Sequence, residues 1–122
     1  MSLALDGVPL GPARYRTDPE SLTVEDVPES FTLTVETRIR PEENTALEGL
    51  YRVGGLFCTQ CEAEGFRKVT YFPDRPDVMA RYRVTLRAPR ERFPVLLSNG
   101  NLIAQRDCEA PEWLAAAHDG EA

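Results

Sequence analysis

Histidine is almost missing from this chain, and cysteine and tryptophan are scarce: 122 residues hold one His, three Cys and one Trp. One imidazole cannot build a histidine-rich metal centre. His118 lies in His118-Asp119-Gly120-Glu121-Ala122, which reads as a surface tail. Cys58, Cys61 and Cys108 are too few and too unevenly placed for the disulfide framework of a small secreted domain. Cys58-Thr59-Gln60-Cys61 does have the spacing of half a zinc knuckle or of a redox pair. A structural zinc needs four ligands, however, and only Cys108 and His118 remain, neither in a second pair. A thioredoxin-type pair would open a helix after a strand, with Pro usual in the gap. Reduced thiols are therefore expected, and they suit a cytoplasmic setting.

A basic surplus is also lacking. Fourteen Lys and Arg stand against twenty Asp and Glu, a net charge of −6, which argues against a general nucleic-acid binder. Arg81, Arg83, Arg87, Arg90 and Arg92 do cluster, but the first three share the parity of a hydrated strand face. No apolar run approaches the roughly 20 residues that cross a bilayer. No charged start followed by an apolar stretch reads as a secretory signal. No membrane partner is expected.

What is present is alternation with period two, the mark of half-buried strands. Leu3–Leu5, Asp6-Gly7 and Val8–Leu10 read as a hairpin on a type I′ turn. A connection through Pro12 and Pro19 precedes a short strand at Leu22–Val24. Phe31 to Ile39 is the clearest strand, with Phe31, Leu33, Val35 and Ile39 on one face. A β region over Leu47–Phe57 is interrupted by Gly54-Gly55. Phe66–Phe72 and Arg81–Arg87 read as further strands, and Phe93–Leu97 with Leu102–Gln105 as a hairpin on Asn99-Gly100. Pro111, helix-compatible Trp113–Ala117 and Gly120 predict a short helical end. The fold expected is all-β: antiparallel sheets in a sandwich or saddle, hairpins, and a short C-terminal helical segment, with residues 1–122 forming a single unit.

The segment with the most chemistry is Cys58-Thr59-Gln60-Cys61-Glu62-Ala63-Glu64-Gly65-Phe66-Arg67. In an extended chain Gln60 and Glu62 point the same way. An amide oxygen beside a carboxylate can receive a primary ammonium group; a solvated surface Glu is the plainer reading. Glu62 and Glu64 could pair on a hard cation, but no third carboxylate lies at a useful spacing. No metal site is assigned.

Several blocks in this chain resemble, in order and with natural spacing, the amino-terminal β-domain of the bacterial aminopeptidase N family of zinc metalloaminopeptidases. They are Asn44-Thr45-Ala46-Leu47-Glu48-Gly49-Leu50-Tyr51, then Phe57 through Arg67. Asp74-Arg75-Pro76-Asp77-Val78 with Ala80-Arg81-Tyr82 follows, and then Leu96-Leu97-Ser98-Asn99-Gly100-Asn101. The resemblance covers residues 44–105, is looser before residue 44 and lapses after Gln105. It implies that Gln60 and Glu62 reach into the active site of a separate catalytic domain and hold the substrate's free α-ammonium. An internal peptide has no ammonium and would leave the carboxylate unpaired, so one-residue trimming is enforced.

The family's zinc helix, His-Glu-x-x-His, and its Gly-x-Met-Glu-Asn segment do not occur in these residues. The expectation is therefore a fragment of the amino-terminal domain of a larger peptidase, inactive alone. Its partners would be the peptide amino terminus, the missing catalytic domain with its zinc, and further copies recruited through exposed sheet edges. The alternative is a non-catalytic β-domain that acts as a binding or interaction module.

Overall fold

The computed structural model describes residues 1–107 and 113–121; Cys108 and Pro111, both weighed above, lie outside them. The chain parts into two compact units, Met1–Arg75 and Pro76–Ala122. Both are built from antiparallel strands, and the only helical turns described are short 3-10 segments. The all-β reading holds.

The first unit contains three small sheets. β1 (Ser2–Leu5) lies between β2 (Val8–Pro9) and β5 (Leu33–Glu36), with Leu3 opposite Val35 and Leu5 opposite Leu33. Asp6 and Gly7 turn the hairpin at φ 48° and 80°, the left-handed pair that a type I′ turn requires. The Asp6 carboxylate accepts the Thr32 N–H at 2.8 Å, and the Asp6 N–H donates to the Thr32 carbonyl at 2.8 Å. The turn is thereby tied to the start of β5. β5 is shorter than the predicted Phe31–Ile39 strand because β1 offers only four residues to pair. Phe31 and Ile39 are exposed rather than inward-facing. β3 (Tyr15–Thr17) pairs with β4 (Leu22–Val24) across a turn in which Asp18 accepts the N–H groups of Glu20 and Ser21.

β6 (Gly49–Val53) and β7 (Leu56–Gln60) form the hairpin that carries the segment of interest, with Gly54-Gly55 at its turn. Gly54 takes φ 58°, which a side chain would resist. Phe66–Phe72 is not a strand. Phe66–Lys68 is a 3-10 turn, followed by irregular chain that brings the Phe66 and Phe72 rings edge to face with centroids 5.1 Å apart. Backbone bonds within residues 61–74 hold this segment away from any ladder.

The second unit is one sheet in the order β8 (Arg81–Pro89), β10 (Trp113–Glu121), β9 (Asn101–Asp107). Along β8, Arg81, Arg83, Thr85 and Arg87 are exposed while Tyr82, Val84, Leu86 and Ala88 are half-buried, the alternation anticipated for a solvated outer face. Two expectations are corrected here. Phe93–Leu97 does not pair with β9; Asn99-Gly100 leads into β9, whose ladder partner is β10. The predicted helical tail is β10, the central strand. Alanines favour helix in isolation, but pairing with β8 along 113–121 and with β9 along 114–119 outweighs a propensity worth a few tenths of a kcal/mol per residue. His118 is consequently no surface tail: it stands opposite Val84 and Leu102 and is 3% exposed.

Buried side chains are few among the described residues: Leu3 in the first unit, and Leu114, Ala115, Ala116 and His118 in the second. Leu114→Ala should therefore lower stability by about 2–4 kcal/mol, the range for emptying a packed site. Leu97→Ala, at a residue 78% exposed, should change it by less than about 0.5 kcal/mol. Urea unfolding of the two variants side by side checks the contrast.

Candidate functional site: the loop after the third hairpin

The loop begins where the β6–β7 ladder ends. Gln60 is the last residue of β7 and pairs with Gly49, the first of β6. Asn44 prepares that start: its side-chain N–H group donates to the carbonyls of Glu48 and Leu50 at 2.7 and 2.9 Å, and its oxygen accepts the Ala46 N–H at 3.1 Å. Gly49 takes φ 70° and leaves no room for a side chain, since an added Cβ would lie 2.7 Å from the Lys68 Cβ. Lys68, beyond the loop, thus returns to the same glycine that pairs with Gln60. The two ends of the loop meet at one backbone position.

Between those ends the chain turns tightly. The Gly65 N–H donates to the Cys61 carbonyl at 2.9 Å, closing residues 61–65 into one turn. A Cβ on Gly65 would stand 2.7 Å from the Cys61 Cα, so the closure depends on glycine. Glu64 takes φ 61°, a left-handed conformation uncommon outside Gly, Asn and Asp. After the turn, Arg67 is gathered onto Asp74. The Arg67 backbone N–H and its Nε both donate to Asp74 Oδ2, at 3.0 and 3.1 Å, and its Nη2 donates to the Asp74 carbonyl at 2.5 Å. The same guanidinium lies 3.7 Å from Glu64.

These contacts set the local electrostatics. The Arg67 backbone N–H, with its side chain behind it, holds the Asp74 carboxyl below the usual carboxylate range. Partial burial, assisted by the nearby Asp74 charge, pushes the Cys61 thiol up, so Cys61 is not tuned to be a nucleophile. Cys58 and Cys61 are both free thiols.

The structure brings Gln60 and Glu62 together in a way that period two did not anticipate. The chain leaves the extended state after Gln60, so the two side chains are not placed by strand parity. Instead the Gln60 side-chain N–H donates to the Glu62 backbone carbonyl at 3.3 Å. This uses one of the two amide N–H donors and leaves the amide oxygen as an acceptor. Both residues are exposed, and among the described residues the Glu62 carboxylate has no hydrogen-bond or ion-pair partner. Glu64 is differently placed, beside Arg67. The loop therefore presents one unneutralised carboxylate and one amide oxygen, a set suited to a single ammonium group.

Zinc ligation is a poor fit to these residues. Among those described, no three His, Cys, Asp or Glu side chains converge where they could hold a metal. Two contributors to the loop, Arg67 and Asp74, had no signal in the spacing. Their separation matches neither helix nor strand period, and only the folded turn makes them partners.

A protein-family model for the Peptidase M1 N-terminal domain matches residues 14–117. The chain belongs to this family. The match extends well beyond the blocks at 44–105 from which the resemblance was read. Aminopeptidase N of Caulobacter vibrioides is 57% identical over 119 residues, 98% of this chain and 14% of that protein. Aminopeptidase N of Escherichia coli is 50% identical over 95 residues, 78% of this chain and 11% of that protein. Among solved structures, aminopeptidase A of Legionella pneumophila in complex with aspartic acid superposes with a TM-score of 0.84 at 34% identity, over 98% of this chain and 14% of that one. The chain thus spans about one-seventh of the length of the Caulobacter and Legionella proteins.

The depressed Asp74 carboxyl makes the clasp acid-sensitive. Because its folded pKa lies below its unfolded one, its stabilising contribution is complete above the ordinary Asp value of about 3.9 and is lost as pH falls through the folded value. Asp74→Asn should flatten that acid limb of thermal stability. A carboxyl carbon NMR titration of Asp74 should place its midpoint below the ordinary value.

Proposed function

We propose that this chain supplies the substrate-amine loop of a zinc-dependent M1 aminopeptidase, which removes amino-terminal residues from peptides. Gln60 and Glu62 receive the substrate's free α-ammonium; zinc and bond cleavage belong to a catalytic domain outside these residues, so the chain alone is inactive. The observation that carries this reading is the Glu62 carboxylate, unpartnered among the described residues, on a residue whose backbone carbonyl is bonded by the Gln60 amide. Family membership supports it. So does the Legionella relative, solved with aspartic acid, a ligand whose α-amino group is free.

The physical logic is selective. An ammonium taken out of water needs an anion and filled hydrogen-bond positions. A chain-internal amide offers no charge and would leave Glu62 desolvated without a partner, which disfavours cleavage within a peptide. In the complete aminopeptidase, Glu62→Ala should lower kcat/KM on an aminoacyl anilide by about 2–5 kcal/mol of transition-state stabilisation, the range for breaking an enclosed charge pair. Steady-state kinetics decide it, and an unchanged kcat/KM removes the assignment.

A further inference from the structure

Glu62 sits in a loop with no ladder of its own, yet reading one ammonium requires its carboxylate to be held to within about half an ångström. Something outside the strand must supply that precision. Two anchors are visible. One is the end of the β6–β7 ladder at Gln60. The other is Arg67 on Asp74, and Lys68, the next residue, packs against the Gly49 that pairs with Gln60. We propose that the Arg67–Asp74 clasp is the positioning device of the amine-binding loop, fixing residues 61–65 so that Glu62, and not Glu64, faces the substrate ammonium. The proposal rests on the amine-binding reading of Gln60 and Glu62.

Three features favour the clasp over an ordinary surface ion pair. Exposed pairs contribute little because both partners are solvated and mobile. Here the Asp74 side chain is only 15% exposed, and a single carboxylate oxygen takes both a main-chain and a side-chain N–H from Arg67. The guanidinium also reaches the Asp74 carbonyl, so each residue's side chain is bonded to the other's backbone. Finally, the 3.7 Å approach of Arg67 to Glu64 offsets the second carboxylate of the loop. Without it, the loop would present two unpaired carboxylates in place of one. Arg67 acts through the loop and touches no substrate; it is a positioning residue.

A double-mutant cycle in the complete aminopeptidase tests this. The readout is amine preference: kcat/KM for an aminoacyl anilide divided by that for its des-amino counterpart. Arg67→Gln should lower this ratio by about tenfold, the scale of a small misplacement of a binding group, and should speed amide exchange at Gly65. In a Glu62→Gln background, Arg67→Gln should produce no further loss of the ratio. Asp74→Asn, which keeps the side-chain shape, should reproduce the Arg67→Gln result and serves if that variant folds poorly. Equal losses in both backgrounds, or an unchanged ratio with Glu62 intact, would overturn the positioning role alone. If Glu62→Gln itself leaves amine preference unchanged, the amine-binding reading fails and this inference fails with it.

Discussion

Antiparallel backbone pairing carries most of the order in these residues. A folded chain must satisfy its buried N–H and C=O groups, and a protein of this size normally does so around an apolar core. Among the described residues few side chains are fully withdrawn from water, while most strands pair in extended ladders. The ladders are therefore the constraint from which other features follow. β1 limits β5 to four residues, β10 takes the centre of its sheet, and the pairing of Gly49 with Gln60 decides where the candidate loop starts. Side chains refine positions that the hydrogen-bond pattern has already set.

Within that frame the loop after Gln60 is a different kind of object. It is held by close approach and by charge. Two glycines permit contacts that a methyl group would block, at Gly49 against Lys68 and at Gly65 against Cys61. One arginine then fastens the returning chain. The result is a short surface segment with a single carboxylate left unpaired, and membership of the M1 amino-terminal domain family gives that carboxylate a chemical context. Loops of this sort commonly carry function because a rigid scaffold presents polar groups that the scaffold itself has no need to satisfy.

Much of this was legible in the residues. Asp6-Gly7 announces its hairpin because the required left-handed backbone is encoded by residue type, whereas Gly54-Gly55, read as an interruption of one β region, is the turn of a hairpin. The alternation of Arg81, Arg83 and Arg87 with Tyr82, Val84 and Leu86 gives both the strand and its wet face. For Gln60 and Glu62 the strand-parity argument does not hold: the chain leaves the extended state after Gln60, and a side-chain bond to the Glu62 backbone joins the two residues instead. The C-terminal segment was misread because Leu114 through Ala117 carry helical propensity and no strand alternation. Pairing on both edges makes this segment a strand, and the partners that supply it are distant in sequence, where local propensity cannot report them. Arg67 with Asp74 was invisible for the same reason, since a contact made by a turn leaves no period.

The register of the β6–β7 hairpin has a consequence that reaches from one end of it to the other. Successive side chains on a strand face opposite ways, so moving the pairing by one residue reverses every one of them. Gln60 faces as it does because Val53 meets Leu56 across Gly54-Gly55. The glycine turn, distant from the carboxylate along the full length of the hairpin, therefore acts as the origin of a ruler. An insertion or deletion of one residue there would leave the sheet paired and its composition almost intact, yet would turn Gln60 to the reverse face and carry the loop behind it out of alignment. Chain length at that turn thus bears on where the candidate loop starts as much as the residues of the loop do.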